Sequence, residues 1–130
     1  GTIVSIISKG NNKVDIKVQP AGIHEQRPIV VLTNGLTASS SEILAATLQE
    51  NDRAKLIGNK TYGKGLIQKI VPLPFNTAMN VTIAKYLTPD GNDINKNGIK
   101  PDYEIEFSEK DIKSGKDVQL EKAIEVLKNI

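Results

Sequence analysis

Residues 28–50 read PIVVLTNGLTASSSEILAATLQE, and the pattern changes twice within them. Pro28 to Thr33 is a short continuous apolar run, which predicts a strand covered on both faces. Asn34-Gly35 closes it. A hydroxyl cluster follows at Thr37, Ser39, Ser40 and Ser41, with Glu42 three residues after Ser39. That spacing spells a capping box, so a helix opens here. Ile43 to Glu50 continues with good helix formers, and Ile43, Leu44, Ala46, Thr47 and Leu48 are its expected buried side.

The flanks supply more strands. Thr2 to Ser8 is β-branched and apolar, Gly10-Asn11-Asn12 is a turn signal, and Val14 to Val18 alternates, so the three predict a hairpin. Gln19 to Arg27 holds Pro20, Gly22 and the single histidine, His24, and is expected to be a loop. Downstream, Asn51-Asp52 ends the helix and Ala54 to Gly58 is a short strand. Gly63-Lys64-Gly65 is a flexible turn leading into a strand over Leu66 to Val71, and Met79 to Leu87 is another. Thr88 to Pro101 is rich in Asn, Gly, Asp and Pro and reads as a loop. Tyr103 to Phe107 is a last short strand. Asp117 to Asn129 places Val118, Leu120, Ala123, Ile124 and Leu127 at helical spacing, which predicts a docking helix.

The 130 residues suit one domain, with 38% hydrophobic and 25% charged residues arguing for a globular chain. Seventeen basic against fifteen acidic residues give a net charge of +2, which makes no electrostatic case for a nucleic-acid partner. The absence of cysteine excludes a disulfide scaffold and any Cys-based nucleophile or zinc site. No apolar run approaches the roughly 20 residues of a membrane span. The opening Gly1-Thr2-Ile3-Val4, with the sole methionine at Met79, reads as a piece of something longer.

Three features could carry chemistry. A helix start offers unpaired N–H groups and a partial positive charge. A serine there can attack a carbonyl while a neighbouring N–H stabilises the oxyanion; the plainer reading is that these serines only cap the helix. Nucleophilic serine needs a base. His24 is expected in a solvated loop, which leaves Lys64, whose flanking glycines allow close backbone approach and burial of an amine that would then be neutral. The competing reading makes Lys64 one more surface lysine in a glycine turn. Third, Asp93-Ile94-Asn95-Lys96-Asn97-Gly98 followed by Glu104 satisfies the calcium-loop pattern. A strand precedes it where a helix belongs, Lys100 takes an apolar position and Pro101 interrupts it, so a structural turn is expected.

Four motifs together resemble those of the carboxyl-terminal processing proteases, the tail-specific serine peptidases. They are Thr37-Ala38-Ser39-Ser40-Ser41-Glu42-Ile43, Tyr62-Gly63-Lys64-Gly65-Leu66-Ile67-Gln68, Leu87-Thr88-Pro89-Asp90-Gly91 and Gly98-Ile99-Lys100-Pro101-Asp102. Their order and spacing match over essentially the whole chain. The resemblance implies that Ser39 is the nucleophile, that Lys64, 25 positions later, is the general base, and that Gln68 orients the lysine. It assigns an oxyanion-hole role to the backbone N–H of Ser40. Thr37 and Ser40 stand where the family has small residues, both conservative departures.

The same resemblance implies an α/β fold with the spiral β-β-α core of the ClpP and crotonase superfamily and a C-terminal helix, here as an incomplete domain. Residues 1–130 would be the C-terminal part of the catalytic domain, without the PDZ domain and the upstream segment that supplies a second oxyanion donor. The expected activity is endoproteolysis through an acyl-enzyme, with no metal or cofactor. Its partners would be proteins or peptides with accessible C-termini, with no nucleic acid, no membrane segment in this chain, and self-association through exposed strand edges. Lacking one oxyanion donor, the chain alone is expected to be impaired. The family works outside the cytoplasm, in the bacterial envelope or periplasm or in the plastid lumen. Two rival readings are a non-catalytic docking module and a crotonase-like acyl-CoA enzyme.

Overall fold

The strand–turn–helix unit is built as the sequence predicts. In the computed structural model, which describes residues 1–19 and 26–130, β3 (Val30–Thr33) runs through the serine-rich turn into α1 (Ser40–Glu50). The chain returns as β4 (Lys55–Gly58), which pairs with β3 in parallel, Val30 opposite Lys55 and Thr33 opposite Gly58. A two-residue strand, β7 (Tyr103–Glu104), adds in parallel to the other side of β4. The expected loop over Gln19–Arg27, with His24, lies largely outside the described residues.

β4 shows why this sheet is stable. Leu56 and Ile57 are both fully buried and point to opposite faces. Leu56 packs with Ala45, Ala46, Ile94 and Ile99, and Val31 of β3 joins that group. Ile57 packs with Ala123 and Val126 of α3 (Val118–Leu127), joined by Val30. The small sheet is therefore a middle layer between α1 and α3. Its edge strand β3 is half-buried at Val30 and Val31 and buried at Thr33, but Leu32 is 46% exposed, so the expected cover on both faces is incomplete.

The second sheet is antiparallel, in the order β2-β1-β6-β5. It contains β1 (Thr2–Ser8) and β2 (Asn12–Lys17) as the expected hairpin, with β5 (Leu66–Leu73) and β6 (Thr77–Leu87) as a longer one. Both longer strands run past the expected ends because Pro72 is tolerated on β5, an edge strand. Thr47 of α1 donates to the carbonyl of Ile3 at 2.7 Å, tying the two sheets together.

Two helix faces differ from expectation. On α1 the buried side is Glu42, Ala45 and Ala46, and Leu44 is 59% exposed. The two alanines let the helix close onto Leu56. On α3 the buried residues are Gln119, Ala123 and Val126, while Leu120, Ile124 and Leu127 face out. The Gln119 amide sets that rotation by donating to Asn59 Oδ1 at 2.8 Å and to the Ile105 carbonyl at 2.7 Å. The strand expected over Tyr103–Phe107 is only two residues long. A short helix, α2 (Glu109–Ser114), capped by Ser108, was not anticipated. The loop over Thr88–Pro101 contributes Ile94 and Ile99 to the core, a packed role that its composition hides.

Candidate active site

Ser39 occupies the hinge between strand and helix with φ 58° and ψ −119°. The Ser41 N–H donates to the Ala38 carbonyl at 3.2 Å, so Ser39 sits at the first central position of a turn with type II′ geometry, a place that favours glycine. A non-glycine residue held there stores roughly 1–3 kcal/mol, and such strain collects at functional sites. Sharp strand-to-helix turns of this kind present a serine Oγ outward in the α/β-hydrolase fold.

The capping box is not the whole account of these residues. Ser39 and Glu42 have the capping-box arrangement, and the Ser39 N–H donates to Glu42 Oε2 at 2.9 Å. The Ser39 hydroxyl makes no cap hydrogen bond. The N–H groups of Ser41, Glu42 and Ile43 go to the carbonyls of Ala38 and Ser39. Among the described residues the N–H of Ser40 is left as the uncommitted donor of the first turn.

Glu42 is fully buried and accepts from four donors. On Oε2 it takes the N–H of Ser39 and, at 2.8 Å, the N–H of Lys64. On Oε1 it takes the Thr61 hydroxyl at 2.5 Å and the Gly63 N–H at 2.7 Å. One carboxylate thus fastens the serine turn to the lysine turn. The Tyr62 N–H, bonded to the Thr37 carbonyl at 2.9 Å, adds a second fastening. Sequence reasoning found Glu42 only as a cap. Its other partners lie 19 to 22 residues away, where no local pattern reaches.

The glycines around Lys64 do admit close backbone. Gly63 has φ 90°, and the Lys96 N–H reaches its carbonyl at 2.8 Å. A Cβ on Gly65 would lie 2.4 Å from the Asn95 nitrogen. The expected burial of Lys64, however, is not found: its side chain is exposed. The glycines make room for the backbone of residues 95–98 beneath the turn, and nothing among the described residues covers the lysine above it.

Gln68 enters β5 opposite Thr82 and is also exposed, with its Nε2 3.5 Å from the Thr82 hydroxyl. No hydrogen bond joins it to Lys64 among the described residues. Lys64 and Gln68 do line one cavity of about 240 Å³, with Tyr62, Leu66, Asn95 and Lys96. Ser39 is not part of its wall.

The calcium-like loop spends its acidic group on structure. Asp93 accepts from Lys85 Nζ at 2.7 Å and from the Asn95 N–H at 2.9 Å. Burial opposes the charge on Asp93, but these two bonds outweigh it and hold the carboxyl below its ordinary range. Among the described residues no cluster of three His, Cys, Asp or Glu could hold a metal ion.

The sequence profile of peptidase family S41 matches residues 1–105. A carboxyl-terminal-processing protease from Synechocystis sp. is 51% identical over 104 residues, covering 78% of this chain and 24% of that protein. A carboxy-terminal-processing protease from Bartonella bacilliformis is 42% identical over 123 residues, covering 92% of this chain and 28% of that protein. The chain therefore spans about a quarter of the length of these relatives. Among solved structures, a photosystem II D1 C-terminal processing protease superposes with a TM-score of 0.74 at 40% identity, over 82% of this chain and 28% of that one.

Proposed function

The chain belongs to peptidase family S41, and on that premise we propose that it carries the nucleophile and base of a serine endopeptidase acting at or near the C-terminal tails of proteins. The observation that carries this reading is the Glu42 carboxylate, which draws the strained Ser39 turn and the Lys64 turn onto one buried anchor. A structural serine and a stray surface lysine have no need of a shared, fully buried clamp.

In the proposed reaction, the Lys64 amine takes the proton from the Ser39 hydroxyl as Oγ attacks the peptide carbonyl. The Ser40 N–H receives the negative charge that develops on the carbonyl oxygen. Collapse breaks the C–N bond, Lys64 returns its proton to the departing amine, and the acyl group remains on Ser39. Water, deprotonated by Lys64, then attacks the acyl carbonyl, the bond to Ser39 Oγ breaks, and Lys64 returns the proton to Oγ as the acid leaves. Gln68, on the same cavity wall as Lys64, orients the amine. Because Lys64 is exposed in this chain, its cover in the working enzyme comes from bound substrate or from a further segment. We assign the chain to the dyad-bearing part of a larger catalytic domain, with a second oxyanion donor supplied from outside it. The parallel β3-α1-β4 unit supports placing that domain among the spiral folds of the ClpP and crotonase type. An extracytoplasmic or plastid workplace rests on the family resemblance; no helix among the described residues is long and apolar enough to cross a membrane.

The test is cleavage of an unstructured protein by the longer protein containing this chain, beside its Ser39→Ala and Lys64→Ala variants, with products identified by mass. Both variants should be silent while still folded. Cleavage surviving in either removes that residue from the mechanism, and an inert parent favours the docking-module reading.

A further inference from the structure

The wall of the cavity beside Lys64 contains two lysines, Lys64 and Lys96, the amides of Gln68 and Asn95, and no acidic residue among those described. The carboxylates near it are already engaged. Asp93 is bonded to Lys85 and to the Asn95 N–H, and Glu42 is saturated by four donors. The Lys96 side chain is exposed and has no ion pair or hydrogen bond among the described residues. Its backbone, by contrast, is fixed: φ is 64°, and its N–H is bonded to the Gly63 carbonyl at 2.8 Å, which plants the residue against the lysine turn. Tyr62 and Leu66 give the cavity an apolar side.

We infer that this cavity receives a carboxylate of the substrate, carried on an acidic side chain or on the chain terminus next to the cleaved bond, and that Lys96 selects for it. The inference rests on the peptidase reading above, which uses Lys64 to move a proton; the standing positive charge on the wall is then that of Lys96. Donor amides at Gln68 and Asn95 suit the oxygens of the same group, and an ammonium facing a carboxylate on a rim gives preference more than affinity.

The probe is an alanine hexapeptide with one central Glu and its Gln counterpart, each with a free or an amidated C-terminus. Each is titrated into the isotope-labelled 130-residue chain bearing Ser39→Ala, so that binding is read without cleavage. Amide shifts at Gly63, Lys64, Gln68 and Lys96 report the site. A peptide with a carboxylate in reach should bind about 2- to 5-fold more tightly than its neutral partner, the range of an exposed ion pair. Added salt should shrink the difference, Lys96→Gln should erase it, and Lys96→Glu should reverse it. Loss of the preference on Glu→Gln places the carboxylate on a side chain, and loss on amidation places it at the terminus; either supports the inference. Equal binding by charged and neutral peptides, a preference that survives Lys96→Glu, or the lack of any shift at these amides overturns it. Because the readout is binding, such a result leaves the roles of Ser39 and Lys64 in cleavage to their own assay.

Discussion

Replacing Glu42 with glutamine separates a clamp from a cap. If Glu42 did no more than receive the Ser39 N–H at the start of α1, the change would cost about 1 kcal/mol, as for other lost caps. The structure demands more. Each carboxylate oxygen accepts two donors, and an amide retains only one accepting oxygen. With the NH₂ group at the Oε2 position, the Ser39 and Lys64 N–H groups both lose their acceptor. With it at the Oε1 position, the Gly63 N–H is orphaned. The Thr61 hydroxyl, which already accepts from the Ile99 N–H at 2.7 Å, must then turn and accept again. Each orphaned buried donor costs about 1–3 kcal/mol, and the remaining bonds lose their charge assistance, so Glu42→Gln should destabilise the chain by roughly 2–5 kcal/mol. Glu42→Ala, which orphans all four donors, should be worse still. Urea unfolding followed by circular dichroism measures this directly. The amides of Ser39 and Lys64 should shift in the Gln variant while those of α3 stay in place. A loss below about 1 kcal/mol, or equal shifts throughout the molecule, would refute the clamp.

Three other expectations are open to simpler tests. Gly65→Ala places a methyl group 2.4 Å from the Asn95 nitrogen, so it should cost about 1–3 kcal/mol in thermal unfolding, whereas Gly35→Ala, with nothing within 4 Å, should be silent; equal effects would contradict the packing. Ile94→Ala removes a side chain that is 1% exposed and should cost about 2–5 kcal/mol, against about 0.5 kcal/mol for Leu120→Ala on the outer side of α3; a reversed order would mean the helix sits differently. Asp93, held below its ordinary value of 3.8, stabilises the fold above that value, and the contribution is lost as pH falls through the lower folded value. Asp93→Asn should therefore flatten the acid limb of the stability profile between about pH 5 and pH 2, and an unchanged limb would count against the Lys85 contact.

Local patterns made the elements legible and left their environments hidden. The hairpin of β1 and β2, the β3–α1 hinge and α3 all follow from alternation, turn residues and capping, which act over a few residues. The faces were harder to read. Gln119, a polar residue within an apolar helix, turns inward because two carbonyl-type acceptors from distant loops wait there, and Leu120, Ile124 and Leu127 are left outside. Ile94 and Ile99 lie in a stretch whose glycines and asparagines suggest solvent, yet they fill the space beneath α1. At the site, the serine turn and the glycine-flanked lysine stood out in the sequence, as did Glu42 three residues after Ser39. What joins them did not, because the Glu42 clamp is a tertiary feature. The glycines around Lys64 suggest its burial, but they make space for a backbone below the turn and leave the lysine side chain uncovered.

The proposed function stands on a covalent intermediate on Ser39, made with Lys64 as its base. The most direct measurement is rapid acid quench of the longer protein during turnover of a slowly hydrolysed ester or peptide, followed by intact mass and mapping of the modified residue. An acyl group on Ser39 should form and decay with turnover and be absent from Lys64→Ala. An adduct on another residue, or one forming on Ser39 at an undiminished rate without Lys64, would contradict it.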